Sequence, residues 1–214
     1  MKFPMPKLPY GESDLEPYIS RETLSLHYGE HLRSYVNRLN GIPSIACENK
    51  VPLEKVILDS SSPEMERWMP LDIPPVDQRP MVFDMATQVY NHAFYFRSMK
   101  KGGGGEPSGD MKEIIDNQYG SWDNFRVKVI SRGVSLFGSG YVWICLDDDA
   151  KLVVINGKDS CTPLIYRGLS PLACIDVWEH SYYKDYGPDR RGYLSAVVDN
   201  LIDWGFASRN LERA

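Results

Sequence analysis

The eight residues from 176 to 183, DVWEHSYY, constrain this chain more than any other part of its sequence. They combine two carboxylates, one imidazole and three aromatic rings. Asp176 and His180 are four positions apart, so one helical turn, or a strand end that bends into a helix, brings both side chains to one point. A carboxylate oxygen and an imidazole nitrogen together suit iron, manganese or zinc. Two ligands do not complete a metal site, so the remaining donors must come from elsewhere in the chain.

The composition limits the class of protein. The chain has 214 residues, of which 43% are hydrophobic and 25% charged, as is usual for a globular protein with a sizeable core. The net charge of −5 and the lack of a basic run predict no nucleic-acid partner, and no apolar stretch is long enough to predict a membrane span. The four cysteines form no CxxC pair and favour free thiols in a reducing compartment. We therefore expect an intracellular location: the cytoplasm, or the mitochondrial matrix or plastid after removal of a transit peptide.

The first helix of the chain is predicted to carry histidines inward. Residues 1–19 form a predicted extended arm, Ser20 is the expected N-cap, and Gly41 ends the helix. The residues at helical spacing on its inner face are Leu24, Tyr28, His31, Tyr35 and Leu39, with His27 at the edge. An amphipathic helix whose histidines only pack in the core is the alternative interpretation.

A second helix with a buried histidine is predicted further along. After a short helix over 52–60 and a surface loop over 60–80, the helical period resumes near Met81 and runs to about Met99. His92 lies on its inner face, and Gln88 lies one turn below His92. A buried amide beside a buried imidazole resembles a metal ligand with its supporting group, or else a polar contact in a core.

The glycine run at 102–105 is the sharpest break in composition and predicts a flexible turn between two domains, 1–103 and 104–214. After it we expect helices over 109–118 and 122–137, capped by Ser108 and Ser121. Strands are expected over 141–146, 151–155 and 172–177, followed by one closing helix that includes Trp204. The predicted fold class is α+β: an N-terminal helical hairpin domain, then a C-terminal domain with a small three-stranded antiparallel sheet surrounded by helices.

The candidate metal ligands are His27, His92, Asp176 and His180. They come from both predicted domains, so the metal site is expected at the domain interface. Three imidazoles and one carboxylate leave the charge of a divalent or trivalent ion partly uncompensated. They also leave coordination positions open for water and a small substrate. A zinc hydrolase or an iron oxygenase could use such donors, but the many neighbouring aromatic residues favour a tiny substrate and a redox metal.

With these residues in view, the chain resembles the iron/manganese superoxide dismutase family. The matching segments occur in the same order over nearly the whole chain. They are residues 8–10 (LPY), 27–31 (HYGEH), 88–92 (QVYNH), 103–109 (GGGEPSG), 137–140 (FGSG), 162–164 (TPL) and 176–183 (DVWEHSYY).

The resemblance implies an iron enzyme that converts two superoxide anions to dioxygen and hydrogen peroxide, with the iron cycling between the ferric and ferrous states. It implies that the four candidate ligands bind the metal, that Tyr35 and His31 line the substrate entrance, and that Gln88 hydrogen-bonds the metal-bound solvent. The family's iron type has a glutamine at the position of Gln88. The manganese type usually has its glutamine near Ser160, so iron is favoured and manganese is possible.

The resemblance also implies a homodimer, or a tetramer made of two dimers. Glu179 would reach the partner's His180 across the interface, and Tyr183 would reach the partner's His31.

This chain departs from the family pattern at several positions. Leu32 replaces a frequent second histidine, and tryptophan is usual at Tyr90, Phe96 and Tyr141. The loop from about 59 to 81 is longer than usual. These departures motivate one alternative, a subunit with this fold that has little or no catalysis inside a larger assembly. Another mononuclear iron or zinc enzyme is a third hypothesis.

Overall fold

The computed structural model describes residues 2–42, 51–61 and 81–214. Helix α1, Arg21–Leu26, follows the N-terminal arm, and the Ser20 hydroxyl accepts a hydrogen bond from the Thr23 N–H, which confirms the predicted N-cap. The helix then widens into a π-helical segment, His27–Leu32, before it continues as α2, Arg33–Asn40. The sequence did not predict this widening.

Helix α4 is the central element of the fold. After α3, Leu53–Ser60, it runs over Met81–Arg97 and packs against α2, α3 and strand β3 (Leu169–Asp176). The sequence predicted one inner face, but residues on every side of α4 are buried because other elements surround it. The predicted loop over 60–80 and Cys47 lie outside the described residues, apart from Ser60 and Ser61 at the end of α3.

The glycine run that follows α4 is packed and hydrogen-bonded, so the prediction of a flexible turn was wrong. The Gly104 N–H donates to the Ile202 carbonyl at 2.8 Å, and the Lys100 N–H donates to the Leu201 carbonyl at 2.8 Å. The indole of Trp204 donates to the Gly105 carbonyl at 2.7 Å. This turn therefore ties the first half of the chain to its last two helices, while the boundary between residues 103 and 104 stays a prediction.

The second half contains the predicted sheet. Helices α5, Gly109–Tyr119, and α6, Trp122–Ser135, precede β1, Gly140–Asp147, and β2, Leu152–Lys158. With β3 these strands form an antiparallel sheet in the order β2-β1-β3, which confirms the α+β class. Ser121 caps α6 through the Asn124 N–H, whereas the Ser108 side chain makes no capping hydrogen bond to α5.

The C-terminal region has three helices: α7, Glu179–Tyr186; α8, Arg190–Asn200; and α9, Trp204–Leu211. The single closing helix predicted through Trp204 is therefore wrong. The Asp203 carboxylate accepts a hydrogen bond from the Gly205 N–H and starts a new helix at this point. None of the described helices is both long enough and apolar enough to cross a membrane.

Two glycines in the run after α4 provide a test of how tightly the turn is packed. Both have positive φ, +64° at Gly102 and +74° at Gly104, but a Cβ at Gly102 would meet nothing within 4 Å. A Cβ at Gly104 would overlap the backbone of Asp199 and Asn200. We expect Gly102→Ala to lower the unfolding free energy by about 1–2 kcal/mol through backbone strain alone. Gly104→Ala should lower it by at least about 2 kcal/mol more.

The measurement is urea unfolding of both variants beside the parent chain. Equal midpoints for the two variants would contradict a packed turn.

Candidate metal centre

Four buried donor atoms converge where the two halves of the chain meet. They are Nε2 of His27, His92 and His180 and Oδ2 of Asp176, and they all lie within 4.8 Å of one another. Each of these atoms lacks a hydrogen-bond partner among the described residues. Buried polar atoms are almost always paired, so four unpaired atoms at one point fit a site that binds a metal ion. The structure thus brings together all four candidates that the sequence suggested.

Four separate elements supply these side chains. His27 begins the π-helical segment, and His92 lies on the central helix α4. Asp176 is the last residue of β3, and His180 lies in the first turn of α7. The predicted bend from a strand end into a helix is therefore what brings Asp176 and His180 together.

The tautomer of His92 is set by the main chain. Its Nδ1 lies 2.7 Å from the Gln88 carbonyl oxygen, which can only accept a hydrogen bond. Nδ1 therefore carries the proton, and the lone pair of Nε2 faces the other donors. This arrangement is typical of a metal-binding histidine.

The carboxylate and main chain of Asp176 are held from three sides. The Trp178 N–H donates to Oδ1 at 2.8 Å, which leaves Oδ2 facing the histidines. The hydroxyls of Tyr193 and Ser181 donate to the Asp176 carbonyl oxygen at 2.8 and 3.0 Å. The sequence analysis missed Tyr193 and Ser181, because their contacts form only once α8 and α7 pack beneath the end of β3.

Burial keeps the histidines neutral. It lowers the pKa of His27 and His92 to about 3 and that of His180 to about 2, and it raises the pKa of Asp176. The 3.2 Å approach of His27 Nε2 to Asp176 Oδ2 is therefore a contact of a neutral imidazole with the carboxyl group, not an ion pair. Three neutral imidazoles and one carboxylate are a donor set that fits iron, manganese or zinc.

Aromatic rings enclose these donors. Tyr95 stacks on His27 at 5.3 Å, Phe96 meets the same ring edge-on at 5.0 Å, and Trp178 stacks on His180 at 5.7 Å. Of the four side chains that supply donors, only His180 has appreciable exposure, at 16%. The site is thus reached from the side of His180.

The other predicted site residues lie either beside the four donors or on the outer face of α7. His31 stacks on His180 at 4.1 Å, and the Tyr35 ring lies 5.3 Å from that of His92, so both lie beside the four donors. The Gln88 side chain is buried one turn below His92, as expected. Glu179 and Tyr183 are instead exposed on the outer face of α7.

Comparison with known sequences agrees with this geometry. The model of the family described as iron/manganese superoxide dismutases, alpha-hairpin domain, matches residues 2–100. The model of the C-terminal domain of the same family matches residues 107–210. The chain belongs to the iron/manganese superoxide dismutase family.

Similar members of this family include three proteins that are named iron superoxide dismutases. The protein from Babesia bovis is 38% identical over 212 residues, which cover 99% of this chain and 97% of the relative. The protein from Legionella pneumophila is 38% identical over 213 residues, with 99% and 100% coverage. The protein from Escherichia coli K12 is 37% identical over 212 residues, with 99% of each covered. The likeness therefore extends over whole chains and includes both halves of the metal centre.

The lowered pKa values of the histidines predict acid sensitivity of the metal-free protein. Imidazoles of the unfolded chain take up protons near pH 6.5, while those of the folded chain stay neutral to about pH 3. The unfolded state binds more protons in this range, so stability falls as the pH falls. The raised pKa of Asp176 makes the folded state bind more protons and so opposes this loss of stability. It is one group, whereas three histidines act the other way. We expect the unfolding free energy to drop by about 2–4 kcal/mol from pH 6.5 to 5.0.

Urea unfolding of the metal-free chain at several pH values measures this slope. His92→Gln removes one of the three titrating groups and should make the slope shallower, by up to about 1.4 kcal/mol per pH unit. An unchanged slope in that variant would contradict the assignment.

Proposed function

We propose that this protein is an iron superoxide dismutase, which converts two superoxide anions to dioxygen and hydrogen peroxide. The observation that carries the proposal is the set of four buried, unpartnered donor atoms from His27, His92, Asp176 and His180. These residues would hold one iron per subunit, with manganese as a possible substitute. When bound, the ion supplies one-electron redox chemistry, which none of these side chains provides.

The chain's own residues define the environment of the reaction. The carboxylate of Asp176 is the only anionic donor, so the site keeps a net positive charge once it holds a divalent or trivalent ion. A small anion such as superoxide is attracted to such a site even though the protein carries a net charge of −5. Aromatic rings pack directly against two of the donor imidazoles, His27 and His180, which favours a small substrate.

Tyr35, His31 and Gln88 are the proposed catalytic residues. Burial, followed by the charge of Asp176, raises the pKa of Tyr35, so its hydroxyl keeps its proton at neutral pH and can donate a hydrogen bond. His31 stacks on His180, the exposed side of the site, which suits a group at the substrate entrance. The Gln88 carbonyl oxygen Oε1 accepts a hydrogen bond from Tyr141, which leaves the amide Nε2 as a donor.

Nothing in residues 2–42, 51–61 and 81–214 favours the alternative of a structural subunit with little catalysis. Such a subunit has no need of a complete donor set, and an unfilled set of this kind costs stability because it buries a carboxylate without a partner. The alternative of another mononuclear iron or zinc enzyme needs room for an organic substrate. The rings packed against His27 and His180 do not provide that room.

A pair of adjacent variants separates metal binding from catalysis at the entrance. His180→Gln removes one of the four donors, so we expect iron binding at least about tenfold weaker and a matching loss of dismutation. His31→Gln changes a ring stacked 4.1 Å from His180 but removes no donor. That variant should retain its iron and lose about tenfold or more in dismutation rate.

The measurements are iron content after purification and superoxide consumption by the loaded proteins. Absence of dismutation by the iron-loaded parent chain would refute the proposed function. Equal loss of iron in both variants would refute the division of roles.

We also propose that the protein is a homodimer, with Glu179 and Tyr183 of α7 at the interface. An exposed surface around α7 supports this. Phe137 is 90% exposed, and Tyr183 is 49% exposed. Arg190 connects the two, because it donates to the carbonyls of Leu136 and Gly138 and lines the same cleft as Tyr183. A large exposed aromatic ring next to a polar rim is typical of an interface.

The dimer can be tested by weakening this patch. Phe137→Ser should raise the dimer dissociation constant by at least about tenfold, which corresponds to about 1.4 kcal/mol. Leu58→Ser is the matched control, because Leu58 is also an exposed apolar residue, at 50%, but lies on α3. Sedimentation velocity over a concentration series measures the constant. If neither variant changes it, the patch around Phe137 is not the interface.

A reducing compartment is the proposed location. Cys145 and Cys174 are buried and form no disulfide with another described residue, so both serve as small apolar core residues.

A further inference from the structure

Tyr141 lies between two groups of the metal centre, the ring of His92 and the side-chain amide of Gln88. It is the second residue of β1, and its side chain is fully buried. Its hydroxyl oxygen lies 2.6 Å from Oε1 of Gln88 and 3.2 Å from Nδ1 of His92. One phenol hydroxyl therefore contacts both the ring of a proposed ligand and the amide of a proposed catalytic residue.

The direction of these hydrogen bonds follows from the proton on His92. Nδ1 of His92 carries a hydrogen that it donates to the Gln88 carbonyl, so it cannot accept one from Tyr141. The Tyr141 O–H therefore donates to Oε1 of Gln88. A tyrosine hydroxyl ordinarily keeps its proton at neutral pH.

A reversed Gln88 amide would be unfavourable. If Nε2 faced Tyr141, the tyrosine O–H would need a new acceptor, and the His92 Nδ1–H cannot serve. The remaining acceptor near this hydroxyl is the Asp176 carboxyl, whose Oδ2 is one of the four metal donors. The reversed amide would thus either leave a buried donor unpaired or compete with the metal.

We propose that Tyr141 is a positioning residue for the Gln88 side chain. The proton on Nδ1 of His92 obliges the Tyr141 hydroxyl to donate to Oε1 of Gln88, so that Nε2 of Gln88 stays available as a donor in the metal centre. The inference rests on the proposed metal centre. A tryptophan, usual at this position in the family, can only donate. A tyrosine hydroxyl can also accept, so in this chain the direction has to be set by His92.

The first experiment measures how firmly the Gln88 amide is held. The full chain, labelled with 15N-glutamine and loaded with diamagnetic zinc, gives a side-chain amide signal for Gln88 that is assigned by its loss in Gln88→Met. Tyr141→Phe removes only the hydroxyl, and hydrogen exchange of the Gln88 amide should become at least tenfold faster. Tyr119→Phe, which removes a hydroxyl bonded to the Leu152 carbonyl at 2.8 Å, is the control and should leave the exchange unchanged.

The second experiment measures the consequence for a bound anion. An N–H donor that faces the metal stabilises an anion there, so Tyr141→Phe should weaken azide binding to the iron-loaded protein by at least threefold, as measured by optical titration. If Tyr141 acts through the amide, it should have no further effect when Gln88 is already replaced by methionine. A threefold loss that persists in the Gln88→Met background would overturn the positioning role.

These outcomes are independent of whether the protein is an active dismutase. Slow amide exchange that depends on Tyr141, in a chain that shows no dismutation, would support the inference and refute the proposed function. Active dismutation with unchanged amide exchange and azide affinity in Tyr141→Phe would refute the inference alone.

Discussion

The structure depends on one buried carboxylate, that of Asp176, among three imidazoles that burial keeps neutral. Moving an unpaired carboxylate out of water costs several kcal/mol, and neutral imidazoles do not return this energy. The fold nevertheless fixes Oδ1 of Asp176 through the Trp178 N–H and leaves Oδ2 unpaired. A bound cation would pair with this oxygen and favour the folded state, so metal binding is expected to raise the free energy of unfolding.

The same carboxylate explains why the two halves of the chain must be held rigidly. His27 and His92 come from the first half, whereas Asp176 and His180 come from the second, so a small shift between the halves would separate the donors. Two features prevent this shift. Helix α4 is buried on all sides between α2, α3 and β3, and the glycine turn after it is hydrogen-bonded to the segment between α8 and α9.

The sequence predicted the metal centre better than it predicted the elements that support it. The spacing of Asp176 and His180, and the helical faces of His27 and His92, depend on local geometry, which a periodic pattern reveals. The π-helical segment at His27–Leu32 could not be predicted, because its residues have ordinary helical spacing and the widening depends on packing against α4. The order of the glycine run was missed for a similar reason. Gly104 is needed because Asn200 lies against it, and that contact joins residues almost a hundred positions apart.

The position of α7 connects the metal centre with the outer surface of the protein. His180 faces the other three donors from the inner side of this helix, while Glu179, the preceding residue, is exposed on the outer side. Glu179 and His180 are adjacent residues in the first turn of this helix. A partner subunit at Glu179, as proposed above, would therefore also restrain the His180 ring, which is the most exposed of the four donor side chains. Dimer formation would in this way order the side of the site from which the substrate enters.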